Sequence, residues 1–257
     1  MTDHVRVAQD AGVLTLTFAR PEKKNALTNA MYETVVREMN GAENDPEIRA
    51  IVLQAEGDMF TAGNDIGDFT AVATGTVPAR SVGASPFLLA LANLTKPLIA
   101  AVQGNAVGVG TTMLLHCDMV FIAEGAELTT PFVNLALVPE AASTWLLPAR
   151  IGYARAYAMF ALGQPVDGKT AAQIGIATAA VPASEVRKRA QEAARALAAK
   201  PAGALRAMKK LMRDAETIKE VMQREGDEFQ ARLKSPEAME AFRAFAERRP
   251  PDFSKVA

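Results

Sequence analysis

The stretch Pro97–Asp118, PLIAAVQGNAVGVGTTMLLHCD, decides the fold. Leu98 to Val102 is an apolar run of strand length. Gly104-Asn105-Ala106-Val107-Gly108-Val109-Gly110 follows as a glycine-rich turn, and Thr111 to Leu115 is mostly apolar. The order predicts a buried strand, a turn and the start of a buried helix. A helix start exposes unpaired backbone N–H groups and the positive end of the helix dipole. Glycine lets a ligand approach that backbone closely. Two readings stay open here. One is an anion or oxyanion site; the other is a tight strand-to-helix turn that needs glycine only for geometry.

Outward from this stretch the chain alternates short strands with helices. Val5–Ala8 and Val13–Phe18 largely alternate apolar and polar positions around Asp10-Ala11-Gly12, which predicts a hairpin. Arg20 to Ala26 is a polar, proline-punctuated loop. Thr28 can cap a helix from about Asn29 to Asn40, with Met31, Val35 and Met39 on its apolar side and Gly41 at its end. After the polar Glu43–Glu47 turn, Ile51–Leu53 reads as a buried strand and Phe60–Ile66 as a compact loop. Phe69–Ser85 lacks a clear period and is a candidate mobile loop over a site. Pro86–Leu94 reads as helix and Met119–Ala123 as strand, and Leu128 begins a short strand or turn.

Beyond Pro139, alanine-rich helical patterns dominate. They cover Ala141–Leu147, Tyr153–Leu162, Lys169–Ile174 and Ser184–Ala199, with Asp167 and Ser184 as expected caps. Ala202–Arg213, Ile218–Leu233 and Pro236–Arg248 follow. Strands early and helices late predict an α/β body with a helical C-terminal part.

A chain of 257 residues, 49% hydrophobic and 22% charged, is ordinary for a soluble globular protein. Its net charge of −1 gives no global field toward nucleic acid. The single cysteine, Cys117, excludes an intramolecular disulfide and reads as a small core residue. No stretch reads as a signal peptide or a transmembrane helix, so a cytoplasmic protein is expected, without membrane or nucleic-acid partners.

Histidine is scarce: His4 lies on the first strand and His116 ends an apolar segment. A Ser–His–Asp triad or a histidine metal site is therefore not expected. Gly108-Val109-Gly110 fails the dinucleotide fingerprint, because the third glycine would fall at Met113. Two loops, Ala62-Gly63-Asn64-Asp65 and Gly108-Val109-Gly110, can instead offer backbone N–H groups to an oxyanion. The first is equally a turn in which Asn64 and Asp65 bond their own backbone. Glu140, just after Pro139 at an expected helix start, is either a favourable helix-end charge or a general base among apolar neighbours. Burial would raise its pKa and the helix dipole would lower it.

Several motifs occur together and in order: Arg20-Pro21 with Asn25-Ala26-Leu27, Phe60 to Ile66, Ala101 to Gly110, and Cys117-Asp118. With them the chain resembles the crotonase, or enoyl-CoA hydratase/isomerase, superfamily over most of its length. The resemblance implies a spiral of ββα turns over residues 1–195. It also implies a helical C-terminal region, 196–257, used to form a homotrimer or dimer of trimers. The substrate it implies is an acyl-CoA thioester, with coenzyme A part of that substrate and no separate cofactor or metal. The oxyanion donors carry over to the backbone N–H groups of Asn64 and Val109. Lys24, Ala26, Leu27, Ala62, Gly63, Asp65, Ile66, Gly108 and Phe132 carry over as substrate-binding positions. Lys23 or Lys24 can meet the CoA phosphates, although two exposed lysines are more often a solvated surface.

The departures bear on the reaction. The two glutamates that position water in the hydratases fall here on Thr112 and Phe132. Glu140 instead resembles the single glutamate of the peroxisomal type of Δ3,Δ2-enoyl-CoA isomerase, through Pro139-Glu140 to Ser143. That resemblance implies isomerisation of a 3-enoyl-CoA with Glu140 as base. The alternatives are hydration or another acyl-CoA reaction on the same fold, and acyl-CoA binding without catalysis.

Overall fold

Alternating residues build the opening hairpin from β1 (Val5–Asp10) and β2 (Val13–Phe18), paired antiparallel from Val5↔Phe18 to Asp10↔Val13. The first strand runs two residues past the expected Ala8, because Asp10 pairs with Val13 and leaves a two-residue turn. Ala11 and Gly12 both have positive φ, 47° and 78°, a backbone that matches the twist of the flanking strands. The computed structural model describes residues 2–65, 67, 84–247 and 249–256. Most of the expected Phe69–Ser85 loop, and Arg248, lie outside the described residues.

After the hairpin the chain winds as a spiral, and three successive turns place one strand in each of two sheets. β3 (Ala50–Ala55), β5 (Leu98–Val102) and β7 (Met119–Ala123) join the larger sheet, and each is followed by a strand of the smaller one. Those partners are β4 (Met59–Thr61), β6 (Asn105–Val107) and β8 (Glu127–Thr129). β9 (Val166–Asp167) closes the small sheet and β10 (Ala179–Val181) the large one. The six-stranded order is β1-β2-β3-β5-β7-β10 and the four-stranded order β4-β6-β8-β9. The large sheet is parallel from β2 onward. Its central strands are buried on both faces, which is why Leu98–Val102 is apolar without alternation.

Helices α1 (Asn29–Asn44) and α2 (Ala84–Asn93) pack on each other, and α3 (Val109–Thr112) is a single turn continued by a 3-10 segment, Met113–His116. α4 (Ser143–Ile151), α5 (Tyr153–Leu162) and α6 (Gly168–Gln173) follow. α7 (Val186–Ala198) lies on β3, β5 and β7 and belongs to the core. α8 (Ala202–Met212), α9 (Ala215–Leu233) and α10 (Pro236–Ala246) form the helical C-terminal part. Among the described residues no helix is long and apolar enough to cross a membrane.

Four local expectations are corrected. Gly41 does not end α1, which continues to Asn44. The buried ammonium of Lys96 accounts for this, donating to Ala42 O, to Asp45 O at 2.6 Å and to Ile48 O at 2.6 Å. A tertiary side chain thus binds one carbonyl of the last turn and two just past it, in place of a glycine cap. The Gly104–Gly110 turn contains a strand, β6, and the helix begins at Val109 rather than Thr111. Ser184 lies within a 3-10 turn before α7 and does not cap it, whereas Asp167 caps α6 by accepting from Thr170 N–H. α4 begins at Ser143, not Ala141, so Glu140 is not in a helical first turn.

Candidate active site

The site is assembled from three loops, and buried Asn25 organises the first. Its Oδ1 accepts Arg20 N–H at 2.8 Å, and its Nδ2 donates to Glu56 O and Met59 O, each at 2.8 Å. The Thr61 hydroxyl donates to Asn25 O at 2.7 Å and accepts Gly63 N–H at 3.0 Å. Leu27 N–H donates to Gly63 O, Asp65 N–H donates to Leu27 O, and Ala62 N–H donates to Lys24 O. Arg20 pairs with Asp65 at 2.6 Å and donates to Ala26 O. Tyr32 donates from its hydroxyl to Asn64 Oδ1 at 2.6 Å. Asn64 is thus held on either side by the Leu27 bridge and at its side chain by Tyr32. Its N–H has no acceptor among the described residues.

β6 lays the second loop against the first through the Thr61↔Ala106 pairing. The approach is close: a Cβ on Gly63 would stand 2.8 Å from Val107 O, and one on Gly110 2.4 Å from Thr61 Cγ2. Only glycine allows both contacts. Gly108, at φ 57°, donates its N–H to Thr129 O, and its carbonyl accepts from Thr111 and Thr112. Val109 N–H, the first amide of α3, has no acceptor among the described residues. The two interlocked loops thus carry two unclaimed amide donors, an arrangement able to bind an oxyanion.

The third loop carries the carboxyl. Thr112, on the same turn as Val109, donates to Glu140 Oε1 across a long 3.4 Å. Glu140 is only partly covered as a residue, but desolvation of its carboxyl pushes its pKa up to about 7. The neighbouring Glu225 carboxylate adds to the rise, and the Thr112 hydrogen bond opposes it. A carboxyl poised near neutrality can take a proton and return it. Beside it the buried Ser143 hydroxyl has no partner among the described residues.

Lys24 and Phe132, also expected at the site, each have protein partners. Lys24 forms an exposed ion pair with Asp58 at 2.9 Å, and the Lys24 hydrogen bond holds the Asp58 carboxyl below its usual range. Phe132 is buried in a satellite cluster with Leu137, Leu233 and Ala238. Ile66 lies outside the described residues. Burial pushes the Cys117 thiol up to about 12, so it is no nucleophile at neutral pH. Among the described residues no group of His, Cys, Asp and Glu could hold a metal.

Glu225, Tyr32 and His116 are also part of the setting, and sequence reasoning missed those roles. Glu225 is the buried charge of its helix, and its contacts are with residues more than 80 positions earlier. Tyr32 alone could have been suspected, as a tyrosine on the apolar side of the predicted helix that needs a partner for its hydroxyl.

Comparison with known proteins matches residues 8–256 to the family model described as enoyl-CoA hydratase/isomerase. The chain is 34% identical over 253 residues to the 1,2-epoxyphenylacetyl-CoA isomerase of Escherichia coli K12, covering 95% of this chain and 96% of that one. It is 31% identical over 251 residues to rat enoyl-CoA delta isomerase 2, covering 96% of this chain and 64% of the rat protein. A crystal structure of an enoyl-CoA hydratase/isomerase from Pseudoalteromonas atlantica T6c superposes with a TM-score of 0.92 at 36% identity, covering 98% and 100% of the two chains.

Proposed function

This chain belongs to the enoyl-CoA hydratase/isomerase family, and from that premise we propose that it moves the double bond of a 3-enoyl-CoA to the 2-position. Asn64 and Val109 offer their N–H groups to the thioester oxygen. Glu140 takes a proton from C2, the electron pair spreads through C1 to C4, and the oxygen gains negative charge. Donors already aimed at that oxygen stabilise the dienolate more than the substrate, which lowers the barrier. Glu140, now protonated, delivers its proton to C4, leaving C2=C3 conjugated with the thioester. One carboxyl serves both steps, so no second acid is needed.

The observation that carries this reading is the pairing of Glu140 with Thr112. The resemblance implies a glutamate at Thr112 in a hydratase, yet here a hydroxyl stands there and supports the single carboxyl. The other carboxylate that acts on Glu140, Glu225, is occupied by three protein hydrogen bonds and has little capacity left to activate water. The same reading carries the other substrate-binding positions along the Lys24–Leu27 and Ala62–Ile66 loops, Gly108 and Phe132. It also carries assembly as a homotrimer or dimer of trimers through residues 196–257, and a cytoplasmic setting. Exposed Leu211 and Met212, 88% and 79% accessible, are in keeping with a face that a second copy covers.

The test offers purified protein 3-hexenoyl-CoA and 2-hexenoyl-CoA in parallel, with Glu140→Gln beside it. Isomerisation lost in Glu140→Gln, with thioester binding retained, is the expected result. Undiminished isomerisation by that variant would remove Glu140 as base. Hydration without isomerisation would favour the hydratase reading, and binding without turnover a non-catalytic acyl-CoA-binding protein.

A further inference from the structure

We propose that Glu225, on helix α9 of the helical C-terminal part, is a positioning residue that fixes the Ala141–Thr144 loop and thereby aims Glu140. The inference rests on the isomerase reading above. Glu225 Oε2 accepts Ala142 N–H at 2.6 Å, and Oε1 accepts Thr144 N–H at 2.9 Å and the Thr144 hydroxyl at 2.5 Å. The carboxylate therefore occupies the N-terminal end of α4, the place the sequence offered to Glu140. Anions are favoured there by the unpaired amides and the dipole. Glu140 is left outside the helix, attached through two residues.

Those two residues make external support necessary. Ala141 and Ala142 both lie in the left-handed region, at φ 65° and 54°. Neither is glycine, and a strained backbone of this kind persists only where its surroundings over-determine it. Two supports are present: the helical C-terminal part supplies Glu225 directly and, through Arg213, holds the His116 ring that makes the other. Glu225 holds Ala142 from one side. On the other, His116 Nε2 meets Ala141 O at 2.7 Å. The Nδ1 of the same ring is held by the Arg213 guanidinium at the end of α8. Arginine can only donate, so Nδ1 accepts and Nε2 carries the hydrogen given to Ala141 O. Burial and the nearby Arg213 charge push His116 down to about 3, so the imidazole stays neutral at working pH and keeps both contacts.

On the His116 side of the loop, Arg213, Arg150 and Lys209 act on the imidazole. Among the described residues, Glu225 is the one charged group that acts on Glu140, and Arg224 acts on Glu225. Arg224 and Glu228 line the groove that passes beside Thr144 and Trp145. Replacing the Glu225 carboxylate with an amide removes a negative neighbour from Glu140. It also turns an NH2 group toward backbone donors that need an acceptor.

The experiment compares Glu140→Gln, Glu225→Gln and Thr144→Val as full-length proteins with 3-hexenoyl-CoA. kcat, KM, the pH profile of kcat/KM and the melting temperature are measured for each. Glu225→Gln is expected to lose about 10- to 100-fold in kcat with KM little changed, as for a displaced catalytic group. The acid limb of its profile is expected at lower pH than in the wild type, a shift that lower stability alone, read from the melting temperature, would not produce. Thr144→Val keeps the backbone donor and loses one hydrogen bond, so about a threefold to tenfold fall in kcat is expected. It carries the test if Glu225→Gln does not fold. Wild-type kcat and an unmoved acid limb in Glu225→Gln, with Glu140→Gln inactive, overturn the positioning role alone. Wild-type kcat in Thr144→Val does the same if that variant is the one that folds. An active Glu140→Gln overturns the isomerase base and this inference with it.

Discussion

The Thr112 hydroxyl stands 3.4 Å from Glu140 Oε1, joining the turn that presents Val109 N–H to the carboxyl expected to act on the same substrate. This hydrogen bond favours the ionised form, against burial and Glu225, which favour the protonated one. Thr112→Val keeps the shape and removes the donor. Its acid limb in kcat/KM is expected above the wild-type limb near pH 7, measured with 3-hexenoyl-CoA between pH 5 and 9. A limb that stays in place would show that Thr112 does not act on the base.

Glu140 also gives stability a pH dependence of known sign. Its carboxyl ionises near 4.5 when unperturbed and near 7 in the folded protein. Between those values the folded chain holds a proton that the unfolded chain has released, so this group's contribution to stability falls as pH rises from about 4.5 to 7. Above that range the cost is constant and at most about 3 kcal/mol, reduced by the partial exposure of the residue. Glu140→Gln does not titrate. It is expected to match the wild type near pH 4.5 and to be more stable at pH 8, by denaturant unfolding at both. Equal stability at pH 8 would mean that the carboxyl is well solvated.

How much of this was legible in the sequence follows from how local each feature is. The hairpin, the buried β5 and the long helices follow from periodicities that the chain carries within a few residues. Of the two amide-bearing loops, one was legible as a glycine-rich turn and the other as a compact loop, and Glu140 as a carboxylate after a proline. Their mutual placement was not. It depends on β4 pairing with β6, and on Gly63 and Gly110 admitting each other's loops. Helix ends failed where a distant side chain supplies the cap, as Lys96 does for α1 and Glu225 for α4. Local composition cannot reveal a partner that folding brings from 83 residues away.

Lys96 is the stability counterpart of that lesson. Its ammonium is buried with three backbone carbonyls, those of Ala42, Asp45 and Ile48. Lys96→Met fills the same space and leaves all three without this donor. A loss of about 2–4 kcal/mol is expected by urea unfolding, with kcat of the folded protein unchanged. A loss under about 0.5 kcal/mol, the range of ordinary surface substitutions, would mean that water replaces the ammonium.

Gly110 and Thr61 allow the interlocking of the two loops to be tested by itself. Gly110→Ala would place a Cβ 2.4 Å from Thr61 Cγ2, and Thr61 is fully buried. Its methyl cannot rotate away freely, because its hydroxyl is held by Asn25 O and Gly63 N–H. The strain therefore passes to Gly63 and to the Asn64 amide beside it. Gly110→Ala is expected to lose about 100-fold in kcat/KM, the cost of a displacement near 1 Å in a catalytic group. Thr61→Ser removes the offending methyl and keeps the hydroxyl, so alone it should stay within a few-fold of wild type. Combined with Gly110→Ala it should restore most of the lost activity, since the new Cβ then occupies the space the methyl has left. The two effects are then strongly non-additive, as expected for residues in direct contact. A double variant no better than Gly110→Ala would place the damage elsewhere, at the second close neighbour, Thr61 O, 3.3 Å from the added Cβ.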